Sequence, residues 1–97
     1  MKGYWVIIGT DVTDQNAQAE YGRLWKPIAE KYQAVINPSD TPPALKESRD
    51  AARLLIVEFP SYELATACYE DPAYQEARQY ALKAAQRELL IFKGDLA

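Results

Sequence analysis

Residues 53–59 read Arg-Leu-Leu-Ile-Val-Glu-Phe, and no other stretch of the chain restricts its fold so strongly. The run is rich in β-branched and aromatic residues and is stopped by Pro60-Ser61, so it reads as a strand. Successive strand side chains point to opposite faces: Leu55, Val57 and Phe59 line one, Leu54, Ile56 and Glu58 the other. Residues 4–8, Tyr-Trp-Val-Ile-Ile, have the same two-faced character, with Trp5 and Ile7 opposite Tyr4, Val6 and Ile8. A sheet made of such strands has to be covered on both sides. Leaving one face of several hundred Å² wet, at ~25 cal/mol per Å², costs many kcal/mol.

The rest of the chain supplies one cover. From Asp14 to Tyr32 the residues Tyr21, Leu24, Trp25, Ile28, Ala29 and Tyr32 recur at helical spacing, and Thr13 or Asp14 is placed to cap the start. Pro27 lies inside this helix, where its missing N–H and its ring predict a bend near Arg23 to Lys26 or a break into two pieces. Ala34-Val35-Ile36 predicts a short second strand, closed by Asn37-Pro38, and little regular structure is expected from Pro38 to Asp50. After the 53–59 strand, Ser61 caps a helix to about Tyr69. Asp71-Pro72 then starts another, with an apolar stripe of Tyr74, Ala77, Ala81, Ala84 and Ala85 that ends near Gln86. Residues 88–92, Glu-Leu-Leu-Ile-Phe, make the last strand before Gly94.

The element order is β-α-β-β-α-β with the second helix in two pieces, a ferredoxin-like α+β arrangement in which helices pack on one side of an antiparallel sheet. A second copy of the chain, face to face on the bare side, is the natural second cover, so a homodimer is expected; shielding of the outer strands by the 37–52 loop is the alternative. With 97 residues the chain has room for a single domain over 1–97. Its net charge of −3 is spread along the chain, which argues against nucleic acid as a partner. The opening apolar run is too short for a signal peptide or a membrane span, and the lone Cys68 fits a reducing compartment, so a cytoplasmic protein is expected.

Histidine is absent, which removes histidine-based triads, histidine-ligated zinc and proximal-histidine haem from consideration. No P-loop, dinucleotide fingerprint or metal-ligand spacing is present, so no cofactor and no metal are expected. Glu58 is the candidate catalytic acid or base, since burial beside Leu54 and Ile56 would raise its pKa toward neutrality; alternatively it pairs with a cation and fixes the fold. Tyr4, Trp5, Tyr69 and Tyr74 are candidates to line a pocket between sheet and helices for a small organic ligand, with Arg78 or Arg53 to neutralise a carboxylate on it. Ser61 reads as a cap and Cys68 as core.

Lys2-Gly3-Tyr4-Trp5, Val12-Thr13-Asp14, Tyr21 with Pro27 and Tyr32, Glu58-Phe59-Pro60-Ser61, Cys68-Tyr69, Asp71-Pro72-Ala73-Tyr74-Gln75 and Gly94 together resemble the family known as domain of unknown function 1330. The resemblance spans nearly the whole chain and implies a dimeric α+β barrel. It departs from the family pattern at Tyr32-Gln33-Ala34, where Tyr-Gly-Gly is usual, at Leu45-Lys46-Glu47-Ser48, where a Leu-Glu-Gly turn is usual, and at Ala81, where an arginine is frequent; Arg78 is a possible substitute for that arginine. Proteins of similar fold include cofactor-free oxygenases, isomerases, haem-degrading enzymes and plain stress-response dimers. Two functions follow as expectations: cofactor-independent proton-transfer, isomerase or oxygenase-like chemistry on a small organic or carboxylated molecule, or a non-catalytic dimeric interaction module.

Overall fold

The structure, a computed structural model, describes residues 1–37 and 43–96. Seven elements follow in order: β1 (Gly3–Gly9), α1 (Gln15–Tyr32), β2 (Val35–Asn37), β3 (Arg53–Phe59), α2 (Tyr62–Glu70), α3 (Pro72–Ala84) and β4 (Arg87–Lys93). The strands form one antiparallel sheet in the order β2-β3-β1-β4, so the first and third strands, the two-faced ones, are central. This is the ferredoxin-like α+β arrangement expected from the element order.

Helix starts are set by side-chain caps. Asp14 accepts from the Ala17 N–H, Ser61 from the Leu64 N–H and Asp71 from the Ala73 N–H, each satisfying an amide that has no partner within its helix. Of the two candidates for the first cap, Asp14 takes the role. Thr13 instead donates its backbone N–H to the Ala84 carbonyl at 2.8 Å, tying the entry of α1 to the exit of α3. Of the bend or break expected at Pro27, the break does not occur, and α1 runs as one helix through it. Pro27 and Arg23 are both exposed, so the Arg23 carbonyl that loses its bond is on the solvent side of the helix, where the loss costs least. Helix α3 ends at Ala84, two residues before the expected Gln86, because Ala85 is already extended at φ −161° and the Gln86 N–H goes to the Thr10 hydroxyl. Residues 43–52 hold neither helix nor strand, and the expectation for Pro38 to Pro42 lies outside the described residues.

The core lies between the helices and the sheet face that carries Trp5, Ile7, Val57 and Phe59, packed against Ile28, Ala65, Cys68, Tyr74 and Ala77. Trp5 is at its centre, with its indole N–H donated to the Ala65 carbonyl at 2.9 Å. Gly3 admits α2 to this face: a Cβ there would stand 2.6 Å from the Tyr62 Cα and 2.8 Å from the Ser61 carbonyl oxygen. The Cys68 thiol is wholly buried, and desolvation pushes it up to about 12, which fits the core role expected of it.

The opposite sheet face carries no helix. Register places Val35, Glu58, Tyr4 and Phe92 in one row across it, Ile56, Val6 and Leu90 in the next, and Leu54, Ile8 and Glu88 in the third. Leu54, Leu90, Phe92 and Val35 are about half exposed there, at 51%, 53%, 45% and 53%. No described helix is long and apolar enough to cross a membrane.

Candidate functional site

Strand alternation separates the residues expected to share a pocket. Trp5, Tyr69 and Tyr74 do meet: the Trp5 ring lies 4.8 Å from Tyr74 and 5.9 Å from Tyr69, both edge-on. Tyr4 does not join them. It points to the helix-free face, where its ring lies 6.3 Å from Phe92 and its hydroxyl accepts the Leu96 N–H at 3.0 Å. The C-terminal residues reach it because the Gly94 N–H is bound to the Lys2 carbonyl and Asp95 accepts the Lys2 N–H. Tyr4 is thus buried by the chain's own end.

Glu58 lies on this same helix-free face, opposite Tyr4 and Val35 in register, with its carboxylate 3.6 Å from the Lys2 ammonium and a quarter of its side chain exposed. It also borders a cleft of about 830 Å³ between the C-terminal half of α1 and the β2 edge, with Trp25, Lys26 and Glu30 across from it. Neither Tyr74 nor Arg78 lines this cleft. Arg78 packs over the outer side of Tyr69, 6.0 Å from the ring centroid, with its guanidinium 3.5 Å from the Gln75 amide oxygen.

The group that does reach Tyr74 is Arg87. Its Nη2 donates to the Tyr74 hydroxyl at 2.5 Å and its guanidinium stands 5.2 Å from the centre of the Tyr21 ring. The Tyr21 and Tyr74 hydroxyls are 3.2 Å apart, so the three side chains form a chain of polar contacts from β4 across α3 to α1. Burial opposes the Arg87 charge, but the two tyrosine oxygens outweigh it and hold the guanidinium above its ordinary pKa. Desolvation first, then Tyr21, pushes the Tyr74 hydroxyl far up, keeping it protonated and able to donate. Among the described residues Arg87 has no carboxylate partner.

Arg87 also lines a second cleft, of about 790 Å³, at the other end of the sheet from Glu58. Gly9, Thr10 and Arg53 border it as well, and Arg53 donates its Nε–H to the Thr10 carbonyl at 3.0 Å. Sequence reasoning named Arg53 but missed Arg87. The signal was present: Arg87 is in phase with Leu89 and Ile91, the residues by which β4 faces the helices, so alternation directs its charge inward.

Among the described residues no group of three or more Cys, Asp or Glu side chains is placed to hold a metal ion. The fold and these clefts define a small ferredoxin-like α+β protein, and comparison with known proteins agrees. The chain belongs to the family described as domain of unknown function DUF1330, whose model matches residues 2–95. It is similar to the RPA0582 protein of unknown function from Rhodopseudomonas palustris, with a TM-score of 0.71 and 18% identity over 99% of this chain and 84% of that one. A dimeric protein of unknown function and ferredoxin-like fold from Bacteroides fragilis matches with a TM-score of 0.60 and 8% identity over 96% of each chain. SnoaB, a cofactor-independent oxygenase from Streptomyces nogalater, matches with a TM-score of 0.58 and 12% identity over 99% of this chain and 95% of that one. No match was found among curated proteins.

Proposed function

We propose that this protein is a homodimer that binds a small organic molecule in the cleft beside Gly9, against Arg87, which stabilises the anion formed as the ligand gives a proton to water, without a cofactor. The observation that carries the reading is Arg87 itself. A guanidinium drawn into the seam between sheet and helices, with tyrosine oxygens and, among the described residues, no carboxylate against it, keeps donors free for a ligand. A ligand oxygen at the cleft takes them: Arg87 stabilises charge developing there, and the Tyr74 hydroxyl behind it holds the guanidinium in place. The cofactor-independent oxygenase among the proteins of like fold is compatible with such chemistry. Trp5 and Tyr69 serve as the wall behind Tyr74, and Arg78 supports Tyr69 from outside. Glu58 takes an interface role in this proposal, supported by its place on the helix-free face beside Lys2.

The dimeric state rests on the exposed apolar rows of that face, and on the dimeric protein of like fold. The second reading, a non-catalytic dimeric module, is favoured by one observation: Trp5, Phe59 and Tyr74 have no exposed surface, so the aromatic cluster itself is filled. Amide chemical-shift mapping with a panel of small aromatic acids, phenols and ketones separates the two. The proposal expects shifts at Gly9, Thr10 and Arg87, lost in Arg87→Met and weakened several-fold in Tyr74→Phe, where a hydrogen bond worth ~0.5–1.5 kcal/mol is removed. Shifts confined to the helix-free face, or none, would favour the module.

A further inference from the structure

Resting on that reading of the Gly9 cleft, we infer that its ligand carries a single carboxylate, held between Arg53 and Arg87 over Gly9. Gly9 is paired with Arg53 on β3 and with Arg87 on β4, so two arginine side chains leave opposite neighbouring strands on the same sheet face, either side of one glycine. Adjacent strands are ~4.8 Å apart, which starts the two side chains within ~10 Å of each other. A Cβ at Gly9 would stand 3.2 Å from the Arg87 Cβ, 3.3 Å from the Gln86 carbonyl oxygen and 3.7 Å from the Arg53 Nη2. The missing side chain therefore leaves the space between the arginines open to the backbone.

Two like charges across such a gap repel, and among the described residues neither is matched by a carboxylate. Arg53 spends its Nε–H on the Thr10 carbonyl and Arg87 an Nη2–H on Tyr74. Most of each planar fork of donors remains available, and a carboxylate, flat with two oxygens, matches that geometry. The rest of the lining limits the ligand's charge. Lys46 and Arg49 add to the arginines, but Glu47, Asp50 and Glu88 nearly balance the four cations, leaving one net positive charge for a monoanion rather than a phosphate ester. Leu45 and Leu54, both about half exposed, offer the adjoining apolar surface for the ligand's body.

Titration calorimetry on the full chain with benzoate, phenylacetate, their amides and inorganic phosphate tests the inference. The acids are expected to bind at least tenfold tighter than the amides, and tighter than phosphate. Arg53→Gln should abolish most of that preference without moving the melting temperature, because Arg53 is exposed at the cleft mouth. Gly9→Ala should weaken the acids and leave the amides less affected; Arg87→Lys, which keeps the charge and loses the fork, should do the same. Equal binding of acids and amides, or a preference for phosphate, would overturn the carboxylate while leaving a ligand cleft in place. Binding by none of these compounds would overturn both the inference and the reading beneath it.

Discussion

Gln33 closes α1 in the left-handed region, at φ 55° and ψ 39°, and donates its N–H to the carbonyls of Ala29 and Glu30. A residue with a Cβ pays roughly 1 kcal/mol for this conformation, which glycine adopts freely. Gln33→Gly is therefore expected to stabilise the fold by about 0.5–1 kcal/mol, read as a rise of several degrees in melting temperature for a domain of this size. No change, or a fall, would mean that the side chain makes a compensating contact. The departure from Tyr-Gly-Gly at Tyr32-Gln33-Ala34 was visible in the sequence, and the backbone angle supplies its cost. Single-residue legibility was otherwise uneven. Capping by Asp14, Ser61 and Asp71 was readable because it depends on residues within three positions. The fate of Tyr4 was not, because alternation says only that it opposes Trp5; which face receives the helices, and that the C-terminal residues fold back over Tyr4, are long-range facts. Arg87 was missed for the same reason, since its partners Tyr74 and Tyr21 come from two different helices.

Elements were legible where period and punctuation agreed. Strand β3 occupies the residues read for it, and its neighbours differ by a residue or so at their ends, as fraying termini do. Of the two outcomes expected of Pro27, a bend or a break, the break is absent, because the proline lies on the exposed face of α1. The junction between α2 and α3 holds the helices to one another through Asp71, which caps α3 and also accepts from the Tyr32 hydroxyl at 2.6 Å and the Lys31 ammonium at 2.9 Å, both at the end of α1. The Tyr32 bond first, then Lys31 and the Ala73 N–H, hold its carboxyl at about 2 against an ordinary 3.8. A carboxylate whose folded pKa is depressed stabilises the fold above its unfolded pKa and loses that contribution as pH falls through the folded one. Stability should thus decline between roughly pH 4 and pH 2 in the natural chain. Asp71→Asn, which keeps a good cap but no charge, should be less stable near neutrality and flatter across that window in urea titrations at each pH. An unaltered pH slope in the variant would show that Asp71 is not the group responsible.

For the whole molecule, the two-faced strands raise the question of what covers the second face. The helices cover the Trp5 side, and on the other side the exposed Leu54, Leu90, Phe92 and Val35 form a stripe with Glu58 and Glu88 at opposite ends of the strands. Two such stripes packed about a twofold axis would bury the apolar rows and leave the carboxylates at the rim, where they stay hydrated. The dimer would leave the Arg53–Arg87 side of Gly9 facing the helices, while Leu54 and Glu88, which border the cleft from the helix-free face, would sit where ligand binding and assembly meet. Leu90, in the middle row, is where the two functions separate. In a symmetric interface each substitution counts twice, so removing a buried leucine at ~1.5–3 kcal/mol per copy costs about 3–6 kcal/mol, a loss of ~100-fold or more in self-association. Light scattering at micromolar concentration is expected to give twice the 11.0 kDa chain mass for the natural protein and the single chain mass for Leu90→Glu. A natural chain that runs as an 11.0 kDa species would overturn the dimer. A Leu90→Glu monomer that still binds ligand at Gly9 would show that the cleft is complete within one chain, and one that has lost binding would mean that the partner shapes it.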